Sequence, residues 1–380
     1  MLFLLVTALL KWAFLVLGFV MPLATLLTWA ERRQSALSQD RLGPWRAQVT
    51  VAGVPLRIAG LLHPIADAMK MLFKEPFTPG SANKTLHGIA PLVGYVTALV
   101  VLAVIPFGPD IPTSVLPFVS AETIAKYPVV PLQVVRLDAG VLLVFAFGSL
   151  GVYGVALAGW ASNNRFALLG GIRASAQAIS YEVALGLTIV GILLAFGSTE
   201  TSAIVAAQNS QNGLWGLPLW GIIIQPLGAL LFFIASVAET KRTPFDVPEG
   251  ESEIIGYFVE YSSMGFGMFM LGEFVEIVVL SAVFTTLFLG GWDLPWIMGD
   301  NEIWLGVTSL TPESIGLGWF HVAHMLLGVI VWSAKVVFLC LLQLQIRWSL
   351  PRFRYDQVMN LGWKMLLPLA LVNIVVSVGL

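Results

Sequence analysis

Residues 263–290, SMGFGMFMLGEFVEIVVLSAVFTTLFLG, decide the fold class because they form an apolar stretch long enough to cross a lipid bilayer. A helix needs about 20 mainly apolar residues to span the hydrocarbon core. The stretch contains two carboxylates, Glu273 and Glu276, whose spacing places them on one helical face. A charge inside a span is costly, so such residues are candidates for function.

Further stretches of the same apolar character occur along the chain. They lie at approximately 3–30, 86–106, 138–160, 179–197, 219–238, 320–346 and 361–379. Backbone groups in lipid must satisfy their own hydrogen bonds, so each stretch is predicted to be a helix. The sequence therefore predicts an all-α integral membrane protein, with a single transmembrane domain over residues 1–380 and about eight transmembrane helices.

The composition independently indicates a membrane protein. Hydrophobic residues make up 57% of the chain and charged residues 11%, whereas a soluble domain carries roughly 25% charged residues. The net charge of −2 gives no indication of a nucleic-acid partner. The single cysteine, Cys340, excludes an internal disulfide and a cysteine-ligated metal or iron–sulfur cluster within this chain.

The Lys and Arg residues of the predicted loops are distributed unevenly. Fifteen fall in the first, third, fifth and seventh loops, and two fall in the second, fourth and sixth. By the positive-inside rule the odd-numbered loops face the cytoplasm and both termini lie on the outer side. A bacterial plasma membrane is favoured over a mitochondrial inner membrane.

The first loop contains an amphipathic segment, LLHPIADAMKMLFKEPF. Its apolar residues recur at helical spacing, and Asp67, Lys70 and Lys74 lie on the opposite side. This pattern predicts a helix at approximately 61–75 that lies in the membrane interface. Two interpretations stay open: a packing helix, or one wall of a site for an amphiphilic ligand.

The fifth loop is strongly acidic. Residues 238–261, AETKRTPFDVPEGESEIIGYFVEY, hold six carboxylates and two cations. Pro244 and Pro248 predict an irregular chain rather than a helix. From Glu253 onward a helix is expected, with Glu253, Tyr257 and Glu260 on one stripe leading towards Glu273. Clustered carboxylates resist ionising together and can pass protons along a line.

Ionisable residues inside other predicted spans extend this pattern. Glu182 lies in the fourth span and Lys335 in the seventh. For Glu182, Glu273 and Lys335 we favour a functional role over a purely structural ion pair, and for Glu276 the two interpretations weigh equally.

Five sequence blocks together resemble the H subunit of respiratory complex I, the proton-pumping NADH:quinone oxidoreductase. They are QDRLGP at 39–44, PIADAMKMLFKE at 64–75, GWASNNRFALLGGIRASAQAISYEV at 159–183, AETKRTPFDVPEGESE at 238–253 and PRFRYDQVMNLGWK at 351–364. They occur in order in the four odd-numbered loops and extend into the neighbouring spans. Two residues depart from the family pattern: His63 stands where Gln is usual, and Glu276 where an uncharged polar residue is common.

The resemblance implies a subunit that forms the quinone chamber, with quinone entering between the first and sixth spans and the first-loop helix. FMN and iron–sulfur clusters are expected in partner subunits and no cofactor in this chain, while quinone, other complex I subunits and lipid are the expected partners. The quinone side is assigned to Arg41, His63, Asp67, Lys70, Arg242 and Asp246. Proton coupling is assigned to Glu182, Glu239, Glu249, Glu251, Glu253, Glu260, Glu273 and Lys335.

Two other functions would explain parts of the sequence. A membrane component of an energy-converting hydrogenase-type complex would share part of the fifth-loop motif. A proton- or sodium-coupled secondary transporter would also place carboxylates inside its spans, but transporters usually show paired halves, and the sequence shows no internal repeat.

Overall fold

The computed structural model describes residues 2–51, 54–115, 119–210, 218–250, 256–295, 297–298, 303–304 and 309–378. In this part of the chain the fold is all-α, as predicted, and seven helices are long and apolar enough to cross a membrane. We name them by the predicted order: span 1, Phe3–Ser38; span 2, Lys84–Val104; span 3, Gly140–Ala161; span 4, Arg165–Phe196; span 6, Ser263–Phe288; span 7, Leu317–Ser349; and span 8, Tyr355–Val378.

The remaining predicted span, at 219–238, is not one continuous helix. It consists of a short turn of helix, Gly221–Ile224, and a second piece, Pro226–Glu239, which we call helix 5. Gln225 lies at the break, and its side chain donates to Gly191 O at 2.7 Å and to Ser377 Oγ at 2.6 Å. A break in a membrane helix is tolerated where the protein supplies such partners. The apolar composition alone could not reveal it.

Span 6 is the central helix. Of its most apolar stretch 61% is buried inside the protein, against 17% for span 1. Spans 1, 2 and 7 pack against it. Span 3 packs between spans 2 and 4, and span 4 also packs on helix 5 and span 8. Phe284, Phe288 and Trp332 are among the large side chains in the main core. The carboxylates of span 6 are therefore held inside the bundle.

Several spans extend beyond their predicted limits. Span 4 begins at Arg165, not near residue 179, because Asn164 caps it by accepting from Phe166 N at 2.9 Å. The third loop is correspondingly short, and Arg165 and Arg173 lie in the helix. Span 7 likewise includes Arg347. Helices continue past the apolar stretch wherever polar side chains can reach water or a partner, so the prediction of these ends from hydropathy was wrong.

The predicted amphipathic helix of the first loop is confirmed as a helix over Leu62–Phe73 and is called here the interfacial helix. Ile65, Leu72 and Phe73 are exposed on it. Within the described residues, small antiparallel strand pairs lie in the loops. They pair Val49–Val51 with Val54–Leu56, Ile111–Pro112 with Val129–Val130, and Ile303–Trp304 with Ser309–Leu310. Short α-helices at Ala121–Lys126, Thr201–Ser210, Gly221–Ile224 and Pro312–Ile315 lie outside the spans.

The fifth loop is irregular through TPFDVPEG, as the two prolines predict. The expected helix from Glu253 is wrong for the part of this loop that is described. Residues 257–260 form turns, and span 6 begins at Ser263. Tyr257 and Glu260 therefore do not share a helical stripe with Glu273. Glu251 and Glu253 lie outside the described residues.

Candidate functional site

A cavity of about 520 Å³ lies between span 1, the interfacial helix, span 2 and span 6. Its lining is mainly apolar. It comprises Met21, Thr25, Thr28, Glu31, Arg32, Pro64, Asp67, Ala68, Met71, Leu72, Tyr95, Met264, Gly267, Met268, Met270, Leu271 and Phe274. Several methionines line it, and methionine adapts its shape to irregular partners. The cavity therefore suits a long, flexible apolar molecule.

One part of this cavity is charged. Glu31 and Arg32 lie in the last third of span 1, and Arg32 forms an ion pair of 2.6 Å with Asp67 of the interfacial helix. The same two residues line a neighbouring polar cavity of about 570 Å³, together with Arg41, His63 and Trp348. An apolar cavity thus adjoins a polar one at Glu31 and Arg32.

His63 is fixed in this polar region by two backbone contacts. Its Nδ1 lies 3.1 Å from Gly60 O, and Ala47 N donates to its Nε2 at 3.4 Å. This pattern fits a neutral ring that carries its proton on Nδ1. Lys70 lies apart from His63 and lines a third cavity of about 340 Å³, next to Asp67 and Lys74.

Arg242 of the fifth loop connects span 1 to span 6. Its Nη1 donates to Glu31 Oε2 at 2.5 Å and its Nη2 donates to Glu273 Oε2 at 3.1 Å. The guanidinium lies 3.9 Å from the centre of the Phe274 ring. Arg347 of span 7 holds the other oxygen of Glu31 at 3.0 Å. The fixed fork of an arginine suits this bridging role.

Glu273 has two further partners. Tyr257 Oη donates to its Oε1 at 3.3 Å. The Glu249 carboxyl shares a hydrogen bond with it. Burial and then the charge of Glu273 raise the pKa of Glu249 well above its ordinary value. Both effects favour the protonated form of Glu249, which can donate a hydrogen bond to Glu273.

Asp246 also lies beside this network. Burial raises the pKa of Asp246 to about 6, even though the charges of Arg352 and Arg347 oppose the shift. Its Oδ1 is buried without a hydrogen-bond partner in the described part of the chain. Arg352 Nη2 instead donates to the backbone oxygen of Asp246. A carboxyl with this pKa changes its charge in the physiological range.

A second cation–acid pair lies one helical turn further along span 6. Lys241 Nζ donates to Glu276 Oε2 at 3.3 Å. Burial alone would lower the pKa of Lys241, but Glu276, Glu239 and Glu273 raise it above its ordinary value. Glu239, at the end of helix 5, has a buried Oε2 that lacks a hydrogen-bond partner among the described residues.

Comparison with known proteins bears directly on this site. A family profile described as NADH dehydrogenase matches residues 10–378. The chain is 42% identical over 351 residues to the H 1 subunit of NADH-quinone oxidoreductase from Cytophaga hutchinsonii, covering 92% of this chain and 90% of the relative.

Two further relatives agree. The H 1 subunit of NADH-quinone oxidoreductase from Geobacter metallireducens is 43% identical, over 96% of this chain and 93% of its own length. NADH-quinone oxidoreductase subunit 8 of Rhodothermus marinus is 39% identical, over 96% and 94%.

The chain belongs to the NADH dehydrogenase family. The resemblance seen in the five sequence blocks is thereby confirmed.

The predicted proton-coupling residues of this family member do not all lie in one cluster. Glu249 lies against Glu273, whereas Glu239 lies near Lys241 and Glu276. Glu182 of span 4 is half-buried, accepts a hydrogen bond from Ser149 Oγ, and acts electrostatically on Glu239. Glu260 instead accepts from Asn164 Nδ2 at 2.6 Å.

Lys335 is at the opposite end of span 6. Its Nζ donates to the backbone oxygens of Leu289, Gly291 and Asp293 at 2.7, 3.1 and 2.5 Å. The ammonium also lies 4.4 Å from the Trp220 ring centre. These carbonyls follow the last residue of span 6, so Lys335 holds the turn that leads out of that span. Its contacts favour a structural role.

Sequence reasoning missed Glu31 and Arg347. Glu31 stands before Arg32 and Arg33 in the sequence AERRQ, just past the predicted end of the first span. Arg347 is one of the cations that the positive-inside count places in the seventh loop. The sequence signal that could have identified Glu31 is its position as a single acid among cations at the inner end of the first span. Among the described residues, no group of three or more His, Cys, Asp or Glu could hold a metal ion.

Proposed function

We propose that this chain, as the membrane-embedded H subunit of an NADH-quinone oxidoreductase, forms the quinone entrance and the start of the proton-coupling path. Membership of the complex follows from the family and the relatives. The observation that carries the finer proposal is the apolar cavity that reaches Glu31, because Glu31 is ion-paired to Arg242, which in turn binds Glu273.

The cavity fits the two parts of a quinone. Its long apolar wall between span 1, span 6 and the interfacial helix accepts an isoprenoid tail, since burial of apolar surface contributes about 25 cal/mol per Å². The polar cavity at Arg32, Arg41 and His63 accepts the headgroup. Electrons come from redox centres in partner subunits, and the reduced headgroup takes up two electrons and two protons.

The ion network supplies a route for the response. Uptake of charge and protons by the headgroup changes the electric field at Glu31. The relative strengths of the Arg242–Glu31 and Arg242–Glu273 ion pairs change as a result. Any weakening of the Arg242–Glu273 contact favours transfer of the Glu249 proton to Glu273. Glu239 and Glu182 then form the next steps away from the cavity. Glu251 and Glu253 are assigned to the same loop from the sequence alone.

Other roles in the proposal follow from position. Asp246 changes charge near pH 6 beside the network, Lys70 and Asp67 belong to the interfacial wall, and Glu260 anchors the loop to Asn164. The exposed apolar faces of spans 1, 3, 4 and 8 meet lipid or other subunits of the complex. Loops that carry most Lys and Arg are assigned to the cytoplasmic side of a bacterial plasma membrane.

A pair of substitutions on one helix tests the quinone assignment. Ala68 lines the apolar cavity, whereas Ala66, on the same helix, does not. Ala68→Phe should raise the KM for a long-tailed quinone about tenfold, corresponding to about 1.4 kcal/mol of binding, and should affect a short-tailed analogue less. Ala66→Phe should match the native complex.

The complex for this test is purified by a tag on this chain. An unchanged KM for the long-tailed quinone in Ala68→Phe would reject the assignment. Subunits of a hydrogenase in the purified complex would select the hydrogenase-type alternative.

A further inference from the structure

Two cation–acid pairs lie side by side where the fifth loop meets span 6. Arg242 binds Glu273, and its neighbour Lys241 binds Glu276. Glu273 and Glu276 are three residues apart and share a face of the helix. The first pair belongs to the proposed quinone response. The second pair has no part in it so far, although the Lys241 side chain is only 6% exposed.

The two acids differ in how well they are held. Glu273 is bound by Arg242, Tyr257 and the Glu249 carboxyl. Within the described residues the Glu276 carboxylate accepts its hydrogen bond from Lys241. Glu239 acts electrostatically on Lys241 as well, and its Oε2 is buried without a hydrogen-bond partner there. One ammonium therefore serves two carboxylates.

The backbone supports a dedicated role for the Lys241 side chain. Lys241 adopts a positive φ of 56° just after helix 5, a conformation that glycine adopts more readily. The side chain is a compact charge on a flexible stem, unlike the rigid fork of Arg242. Such a side chain can exchange one carboxylate for another without leaving the site.

We propose that Lys241 is a two-position counter-ion, paired with Glu276 while Glu239 is protonated and paired with Glu239 once that carboxyl has released its proton. The released proton is taken up by Glu276, which has lost its counter-ion. The net charge of Lys241, Glu239 and Glu276 is the same in both states. This rests on the proposed function and makes Lys241 a positioning residue that links the span 6 acids to Glu239.

The charged groups around Lys241 determine in which direction the pH dependence of pumping shifts when one of these charges is removed. Glu276 and Glu273 face it from span 6 and Glu239 from helix 5, and Arg242 follows it in the loop. Glu182 of span 4 acts on Glu239 from a further side. Removing the Glu276 charge leaves Lys241 to Glu239, whereas removing the Lys241 charge leaves both acids without their ammonium partner.

Opposite shifts in the pH dependence of proton pumping test the proposal. In membrane vesicles that contain the whole complex, Glu276→Gln should lower the pH midpoint of NADH-driven pumping by about one unit, and Lys241→Met should raise it by a similar amount. Lys241→Arg keeps the charge but holds Glu276 with a rigid fork, so it should lower the number of protons pumped per NADH. Glu122→Gln and Lys126→Met, on the exposed helix Ala121–Lys126, are matched controls.

A simple structural ion pair gives a different result. Both Glu276→Gln and Lys241→Met would then reduce the amount of assembled complex, while the midpoint of the remaining complex stays at the native value. Unchanged midpoints, or midpoints that move in the same direction, overturn the proposal. If Lys241→Met does not assemble, the proposal is tested by the lowered midpoint of Glu276→Gln and the lowered number of protons per NADH in Lys241→Arg. Native values in these two variants overturn it. The quinone assignment fails separately, through the KM of Ala68→Phe.

Discussion

Arg242 Nη2 lies 3.1 Å from Glu273 Oε2, so a cation of the fifth loop is bound to an acid inside the central span. The other arm of the same guanidinium holds Glu31 at the charged part of the apolar cavity. One side chain thereby joins the wall of the proposed quinone chamber to the buried carboxylates. A change at either acid must be felt at the other, because both compete for a single cation.

Arg242→Lys should break this connection while keeping the charge. A lysine ammonium is a point charge and cannot hold two carboxylates with the fork geometry of an arginine. We expect the loss of one charge-assisted hydrogen bond, about 1.5–3 kcal/mol, and fewer protons pumped per NADH. Pumping assays on vesicles with equal amounts of assembled complex measure this. Native pumping in the variant would show that the bridge is dispensable.

Asp246 gives a prediction for pH. Its pKa is raised to about 6 by burial, whereas an aspartate in an unfolded chain ionises near about pH 3.9. The protonated form is therefore favoured in the folded chain, and stability present below about pH 4 is lost as the pH rises through about 6. Asp246→Asn should remove this loss of stability, because asparagine does not ionise.

The thermal stability of the Asp246→Asn complex relative to the native complex should improve from about pH 4.5 to about pH 7.5, on either side of the raised pKa of about 6. An equal difference at both pH values would contradict the raised pKa.

Glu182→Gln should reduce the coupling of proton pumping to NADH oxidation without unfolding the chain. The Ser149 hydroxyl can still donate to an amide oxygen at this position, so the local hydrogen bond survives while the charge is lost. We expect fewer protons pumped per NADH, with the complex assembled normally. The exposed Glu122→Gln is the control, and equal pumping in the two variants would remove Glu182 from the path.

Lys335→Met tests whether this lysine carries protons or holds the turn that leads out of span 6. Three carbonyls lose their donor, which should cost about 1–3 kcal/mol for each buried group left unsatisfied. On the structural account the assembled complex is less stable to heat but pumps the native number of protons per NADH. A stable variant with reduced pumping would restore the proton-coupling role.

The sequence predicted those features in which charged or polar residues occur within or beside apolar stretches. Glu273 and Glu239 stood out because charges are rare beside long apolar stretches, and the interfacial helix stood out through its period. Family blocks then assigned Asp246 and Glu249 to a common loop. Hydropathy says nothing about which cation meets which acid, so the pairing of Arg242 with Glu31 could not be predicted.

Other differences have local physical causes. Asn164 extends span 4 by capping it, and Gln225 permits a break in an apolar stretch by supplying its own hydrogen bonds. The proton-coupling role of Lys335 stays a prediction, while its hydrogen bonds to backbone oxygens are contacts that no residue pattern reveals. Long-range pairing decided the cases of Gln225 and Lys335, whereas the Asn164 cap acts within two residues.

In the proposed mechanism, reduction of quinone in the chamber changes the protonation of the Glu249–Glu273 pair through Glu31 and Arg242. Infrared difference spectroscopy on the purified complex, comparing oxidised with reduced long-tailed quinone, measures this change. A carboxyl band induced by quinone reduction should appear in the native complex, disappear in Glu249→Gln, and be lost in Glu31→Gln although quinone still binds. An unchanged band in Glu31→Gln with quinone bound would contradict the account.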